Sequence, residues 1–492
     1  MRRSLIRELL LYRYRFIAGL TVFLVATVFL VMIRTDLAPT GLSTAEMQSA
    51  ATSATFKFSQ PLAQSVIDLP YRLSQKLTMS VFGVTEFAIV LPSMVFAILT
   101  AVAFLQMVRR WFRPNVALIT GLIFVTSAAF LTLARTGFAE IMTTFWLSLL
   151  LLAVTNIIHP EGKTKLWFLA LVLILPLSLY TPLMIYPIAA ITIAGLVHPH
   201  VRFTINHMSK NQYAIGIGIM LVLLAPLIVS VTTQPSYGLQ LLGVPTQSLS
   251  SSELIVNAKN VVKTFFNLSA TVVGSIPQPM FGAASFIIIV LGFLKTAQDW
   301  HSARSYMLLI WSALYIPLAI LNPDKILIAL IPAYLYMAIG IETLIREWYK
   351  LFPHNPYARL TGLLPLVILL GGIMTSNVAQ YFYGYLYGTP TTRYSEQLTA
   401  TRKILDRKEN KDAIMTTIVK PEEGYFYDLL RRDYPRMNVA ISQDGPIVRP
   451  TIVLDGASID PRLLGTPERI VTSYKSKSDQ VLVRYYVPSP TP

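Results

Sequence analysis

Nine ionisable side chains stand in or beside apolar sequence, where charge is costly to bury: Glu46, Asp68, Arg72, Lys76, Glu86, Arg135, Glu140, Asp324 and Lys325. Carboxylates and cations gathered at one membrane face have a definite chemistry open to them. A carboxylate can take the proton of an acceptor hydroxyl as general base. Arg offers bidentate bonds to a phosphate and Lys a point charge, so a leaving phosphate can be neutralised. Such a set suits sugar transfer from a lipid phosphate. A plainer reading stays open beside it: Arg135 pairs Glu140, Lys325 pairs Asp324, and all four snorkel to the interface.

Other chemistries find less support. The 492-residue chain has no cysteine, which removes disulfides, thiolate metal sites and a cysteine nucleophile. His198, His200 and His207 share one loop, but no acid stands close to them in sequence to complete a metal site. No phosphate-binding glycine loop, zincin motif or serine elbow occurs. Tyr180 and Tyr186 read either as interface-belt aromatics or as a sugar platform.

The elements that must position these groups are membrane spans. Hydrophobic residues make up 54% of the chain and charged ones 13%, about half the usual share for a soluble domain. Windows of roughly 20 apolar residues give about eleven spans. They lie near 15–34, 82–107, 115–133, 141–158, 166–180, 183–198, 212–232, 281–296, 305–321, 326–345 and 360–377. The net charge of +16 sits mostly in short loops on one side. Those loops carry Arg109, Arg110 and Arg113, then Lys163 and Lys165, Arg202 and Lys210, Lys295 and Arg304, and finally Arg346, Lys350 and Arg359. This alternation marks topology rather than a nucleic-acid surface, so no nucleic-acid partner is expected. It puts the N-terminus in the cytoplasm of a plasma-membrane protein and everything after about 377 outside.

Two domains follow: a membrane domain, 1–377, and an extracytoplasmic accessory domain, 378–492. The first outside loop, 35–81, reads as two helices. Residues 43–57 open on a Ser/Thr cap, and 61–80 has apolar positions at helical spacing with Arg72 and Lys76 four apart. The tail alternates strand-like 413–419, 437–442, 450–455, 469–474 and 481–487 with a helix at 424–434, a small α/β layer.

The stretch 70–154 resembles the C-type glycosyltransferase superfamily, in its protein-mannosyltransferase and aminoarabinose-transferase branch. Phe82-Gly83-Val84-Thr85-Glu86, Leu91-Pro92-Ser93, the basic turn Arg109–Phe112 and Ala134-Arg135-Thr136-Gly137-Phe138-Ala139-Glu140 carry the likeness in order. Lys325–Pro332 is similar to the segment that lies near the lipid phosphate in that family. The resemblance implies an all-α polytopic fold and a polyprenyl-phosphate sugar donor. The acceptor would be a glycan, lipid or protein, and the transfer inverting. In that family an acidic pair opens the first outside loop; the matching site is Ala45-Glu46, so Glu46 alone inherits the base role. Glu140 takes the second acid's place, and Arg135, Lys325, Arg72 and Lys76 would hold the lipid phosphate. The residues call for no certain cofactor. A divalent metal is open through Glu46 and Glu140, though the missing first acid argues against it. The competing class is a transporter or assembly scaffold that kept the fold without catalysis.

Overall fold

The computed structural model of the chain describes residues 10–33, 41–56, 65–158, 164–197, 210–245, 250–266, 271–273, 276–278, 280–351, 356–387, 394–407, 410, 413–441, 449–457, 466–473 and 481–487. Each of the eleven apolar runs lies on helix. In chain order the first helices are α1 (Leu10–Met32), α2 (Thr44–Thr55), α3 (Leu69–Phe82), α4 (Glu86–Trp111), α5 (Pro114–Thr126), α6 (Ala128–Arg135), α7 (Ile141–Ile158), α8 (Thr164–Ser178) and α9 (Ile185–Val197). There follow α10 (Lys210–Thr233), α11 (Pro235–Leu242), α12 (Ser251–Phe266), α13 (Ala283–Gln298), α14 (Ala303–Leu321), α15 (Leu330–Leu351) and α16 (Pro356–Tyr387). A 3₁₀ turn, Pro323–Ala329, leads into α15.

Six helices are long and apolar enough to cross a membrane among the described residues, and the bent pair α5–α6 makes a seventh. The other four expected spans are shorter apolar helices: Ile17–Met32, Lys165–Ser178, Ile185–Val197 and Ala283–Gln298. Thirteen residues of α9 rise only about 20 Å, less than the roughly 30 Å of a hydrocarbon core. The expectation of about eleven full spans therefore holds as eleven apolar helical segments, not as eleven helices of spanning length.

Burial sorts the helices. In the most apolar part of the 325–351 stretch 89% of the residues are buried, which puts it at the centre, while in the apolar parts of α10 and α16 only 17% are, so those helices present their sides outward. Where α13 crosses α15 the backbones touch through glycine. A Cβ at Gly292 would stand 1.8 Å from the Tyr336 carbonyl oxygen. The break between α5 and α6 turns the chain by 59°. Ser127 makes it, donating to the Phe124 carbonyl (2.7 Å) and accepting from Phe130 N–H (3.3 Å). That bend carries the chain into the 136–140 turn.

Outside the bundle, α2 begins with a full capping box and α3 with Pro70 in its first turn. The tail contains α17 (Gln397–Leu405) and α18 (Gly424–Leu429), with strands β3 (Met415–Ile418), β4 (Met437–Ala440), β5 (Thr451–Leu454), β6 (Arg469–Thr472) and β7 (Val481–Tyr486). They form one mixed sheet in the order β4-β3-β5-β7-β6, parallel among β4, β3 and β5 and antiparallel beyond. A small hairpin, β1 (Thr271–Val273) with β2 (Ile276–Gln278), precedes α13. The strands expected in the tail are thus all present; residues 474–480, between the last two, lie outside the described residues.

The tail is more than a separate accessory unit. Leu398, Met415, Phe426, Tyr427 and Leu482 share one hydrophobic cluster with Leu42, Met47, Met79 and Ile89 of the membrane part. Polar bonds fix the same junction. The Asp433 carboxylate accepts Val84 N–H (2.8 Å), Arg402 donates to the Val84 carbonyl (2.6 Å), and Arg402 and Asp433 pair at 3.3 Å. Leu42 and Ser395 exchange backbone bonds of 3.0 Å. Asp433→Ala strips the acceptor from a part-buried N–H and the partner from Arg402. The expected cost is about 1–3 kcal/mol, read as a lowered thermal midpoint and faster proteolysis within 394–487.

Candidate active site

A cavity of about 1740 Å³ opens between the outer helices, the 3₁₀ turn and the tail. It exceeds the roughly 300–1,000 Å³ of a usual small-molecule pocket, which leaves room for two substrates. Three cations line it: Arg72 from α3, Lys263 from α12 and Lys325 from the 3₁₀ turn. Carboxylates line it too: Asp68, Glu140 and, from the tail, Glu422. Tyr71, Tyr394 and Tyr425 supply aromatic surface.

The turn that delivers Glu140 is held from two sides. Gly137 N–H donates to Glu46 Oε1 at 2.5 Å, and the Gly137 carbonyl accepts Gln75 Nε2 at 2.8 Å. The same Gln75 nitrogen donates to the Ile89 carbonyl (3.1 Å), while its oxygen accepts from the hydroxyls of Ser53 (2.7 Å) and Ser49 (3.2 Å). Gly137 must be glycine because a Cβ there would stand 2.7 Å from Ile89. Three residues on, Glu140 meets Lys325 at 3.9 Å, both side chains partly solvated.

Among the expected site residues, Glu140, Lys325 and Arg72 are brought together in the cavity. The others are not. Glu46 is 1% exposed and does not line it. Its Oε2 accepts the Ser43 N–H (2.7 Å) and hydroxyl (2.8 Å) in the capping box, and Oε1 accepts Gly137 N–H. Burial pushes its pKa up against these lowering bonds. A carboxylate engaged by three donors positions the turn and has little left to offer a substrate hydroxyl. Arg135 is 2% exposed, its guanidinium 5.4 Å from the ring centroids of both Tyr381 and Phe382. That is a cation–π setting within the bundle, away from the cavity. Lys76 donates its ammonium to the Phe56 carbonyl. Tyr180 and Tyr186 donate their hydroxyls to the carbonyls of Leu223 (2.7 Å) and Leu242 (2.8 Å), tying helices rather than facing the cavity. Lys325 pairs Glu140; the side chain of Asp324, its expected partner, lies outside the described residues, as do His198, His200 and His207.

Lys263 was not singled out by sequence, yet its helix gave a signal. Asn257, Asn260, Lys263 and Thr264 recur at three- and four-residue spacing, and all line the cavity. Ile255, Val256 and Val262 of the same helix are exposed. Among the described residues no cluster of three or more His, Asp or Glu could hold a metal ion, and Glu46 and Glu140 do not share the cavity.

Burial raises the pKa of Asp68 to about 7, against the lowering pull of Lys325 and Arg72. Desolvation lowers that of Arg72 from the ordinary guanidinium value, offset by Asp68. The buried Tyr71 hydroxyl, bonded to Ser93 at 2.8 Å, is pushed up by the same loss of water.

Comparison with known proteins agrees with this architecture. Residues 71–229 match the family described as dolichyl-phosphate-mannose-protein mannosyltransferase. No match is found among curated proteins. The fold is similar to that of ArnT from Cupriavidus metallidurans bound to undecaprenyl phosphate, with a TM-score of 0.57 and 13% identity over 95% of this chain and 98% of that one. It is also similar to the Archaeoglobus fulgidus oligosaccharyltransferase tethered to an acceptor peptide, at TM-score 0.55 and 12% identity. That match covers 87% of this chain and 64% of the other. AglB from the same organism, in complex with an inhibitory peptide and a dolichol-phosphate, gives a TM-score of 0.52 at 14% identity, covering 87% and 65%. The chain shares the fold of these structures, and its long apolar helices are those of a multi-pass membrane protein.

The contrast between the two glutamates is testable. Glu46→Ala leaves buried donors without an acceptor and should cost about 1–3 kcal/mol. Glu140→Gln alters a partly solvated pair and should stay within about 1 kcal/mol of the parent. Thermal unfolding of the purified variants checks both.

Proposed function

We propose that the chain is a membrane glycosyltransferase that moves a sugar from a polyprenyl phosphate to an acceptor hydroxyl at the outer face of the membrane. The observation that carries this reading is the cavity in which Arg72, Lys263 and Lys325 face the same space as Glu140. The match of residues 71–229 to a dolichyl-phosphate-mannose-dependent family supports it, and so does the likeness to a fold solved with undecaprenyl phosphate bound. The acceptor, a glycan, lipid or protein, attacks the anomeric carbon directly, and a single displacement inverts that centre. Its proton passes to a carboxylate of the cavity; of the two glutamates expected in this role, Glu140 reaches it. The phosphate leaves with the electron pair of the broken bond, and the three cations offset its growing charge, an effect worth roughly 3 kcal/mol per well-placed donor. Glu46 and Gln75 hold the turn on which Glu140 stands.

The loop charges fit an N-terminus in the cytoplasm and residues 394–487 outside. A tag at the C-terminus should therefore be removed by external protease in intact cells; protection would reverse the topology. For the donor site, undecaprenyl phosphate binding to the purified chain in nanodiscs is the direct test. Arg72→Ala and Lys325→Ala should each weaken it about tenfold to a hundredfold, the worth of one charge-assisted hydrogen bond. Binding unchanged in both would remove the phosphate clamp and the reading with it.

A further inference from the structure

Asp68 occupies the N-cap position of α3 and does not cap it. An aspartate there ordinarily turns its carboxylate back onto the first N–H groups of the helix. Here the backbone adopts φ 55°, ψ 29°, a left-handed conformation that aspartate and asparagine enter more readily than other non-glycine residues. Only Asp68 and Leu183 do so among the described non-glycine residues. The conformation is held in place, since Asp68 N–H donates to the Tyr180 carbonyl at 2.8 Å. The side chain lines the cavity, and its Oδ1 is buried without a hydrogen bond from the described residues. The Thr181 hydroxyl stands close enough to lower the pKa of this carboxyl, yet Oδ1 has no hydrogen-bond donor among the described residues, a costly state for a buried carboxylate oxygen. It does leave one oxygen free to accept.

Resting on the transferase reading above, we propose that Asp68, rather than Glu140, is the group that takes the proton from the acceptor hydroxyl. Glu140 is already engaged by Lys325, at 3.9 Å. The partly buried Asp68 has its Oδ1 out of contact with water, and its pKa, raised by burial to about 7, suits a base working near neutrality. The charged groups that act on it are Lys325 and Arg72, which lower its pKa, and Glu140, which raises it; Asp68 in turn raises that of the Tyr71 phenol on α3. In the step, the acceptor O–H bond breaks and its proton passes to Asp68. The acceptor oxygen bonds to the anomeric carbon as the bond from that carbon to the phosphate oxygen breaks. The lipid phosphate departs carrying the electron pair and one more negative charge. Only ionised Asp68 can act, so turnover should rise with pH through about 7.

Asp68→Asn keeps the shape, and asparagine is at ease in left-handed backbone, so the variant should fold. Three readouts on the full chain in nanodiscs test the proposal: infrared titration of protonated carboxyl, undecaprenyl phosphate binding, and release of undecaprenyl phosphate from undecaprenyl phosphoryl mannose. The parent should show a carboxyl that loses its proton near pH 7; the signal should vanish in Asp68→Asn and persist in Glu140→Gln. Asp68→Asn should bind undecaprenyl phosphate at least as tightly as the parent and lose turnover by about 10²-fold or more. A titration signal unchanged in Asp68→Asn, or parental turnover in that variant, overturns the role of Asp68. A parent that neither binds undecaprenyl phosphate nor releases it overturns the transferase reading instead, and the infrared arm still decides whether Asp68 holds the proton.

Discussion

The peptide at Gly137 is gripped from both sides, its N–H by the Glu46 carboxylate and its carbonyl by the Gln75 amide. The rest of the site depends on that grip. Glu46 sits in the first turn of α2, Gln75 in the middle of α3, and Gly137 at the end of a helix bent by 59°. One turn is thereby locked to two interface helices. An unmet backbone group in so dry a place would cost several kcal/mol, so the lock is hard to open. Its products are the aim of Glu140 toward Lys325 and the close fit of Ile89, which leaves no room for a side chain at 137.

Around this lock, charge is divided by depth. Off the cavity wall are Arg135, over the rings of Tyr381 and Phe382, and Glu46, enclosed by donors. Both are nearly inaccessible and act on the frame. Facing the cavity are groups that keep partial contact with water or have an unused oxygen: Lys325, Glu140, Arg72 and Asp68. These, with Lys263, can exchange a partner for a substrate. The tail adds Glu422 and Tyr425 to the same wall, so the cavity is built partly from residues far along the chain from α2 and α3.

Much of this was legible in the sequence, and the reasons for the remainder are physical. Apolar length located all eleven helical segments, since hydropathy alone decides what enters a bilayer. The period-two runs of the tail located its strands. Glu46 was legible in another sense: Ser43 followed three residues later by Glu is the pattern of a capping box, which speaks for a helix start before it speaks for catalysis. Family likeness favoured the catalytic role; local hydrogen bonding took the carboxylate. Arg135 and Lys76 show the same limit, because a cation's reach to an aromatic ring or a carbonyl is set by packing between distant segments. The orientation of Asp68 rests on one left-handed φ angle and a bond to Tyr180, neither of which spacing reveals. Nor could sequence anticipate that Asp433 would cap Val84, 349 residues away.

The central claim is that a lipid phosphate sits between Lys325 and Arg72, in front of the carboxylates. A structure of the chain with undecaprenyl phosphate bound tests it most directly. The account predicts phosphate oxygens within hydrogen-bonding distance of Lys325 Nζ and the Arg72 guanidinium, with the prenyl tail leaving between helices. A phosphate held by Arg135 inside the bundle, or by residues outside this cavity, would contradict it.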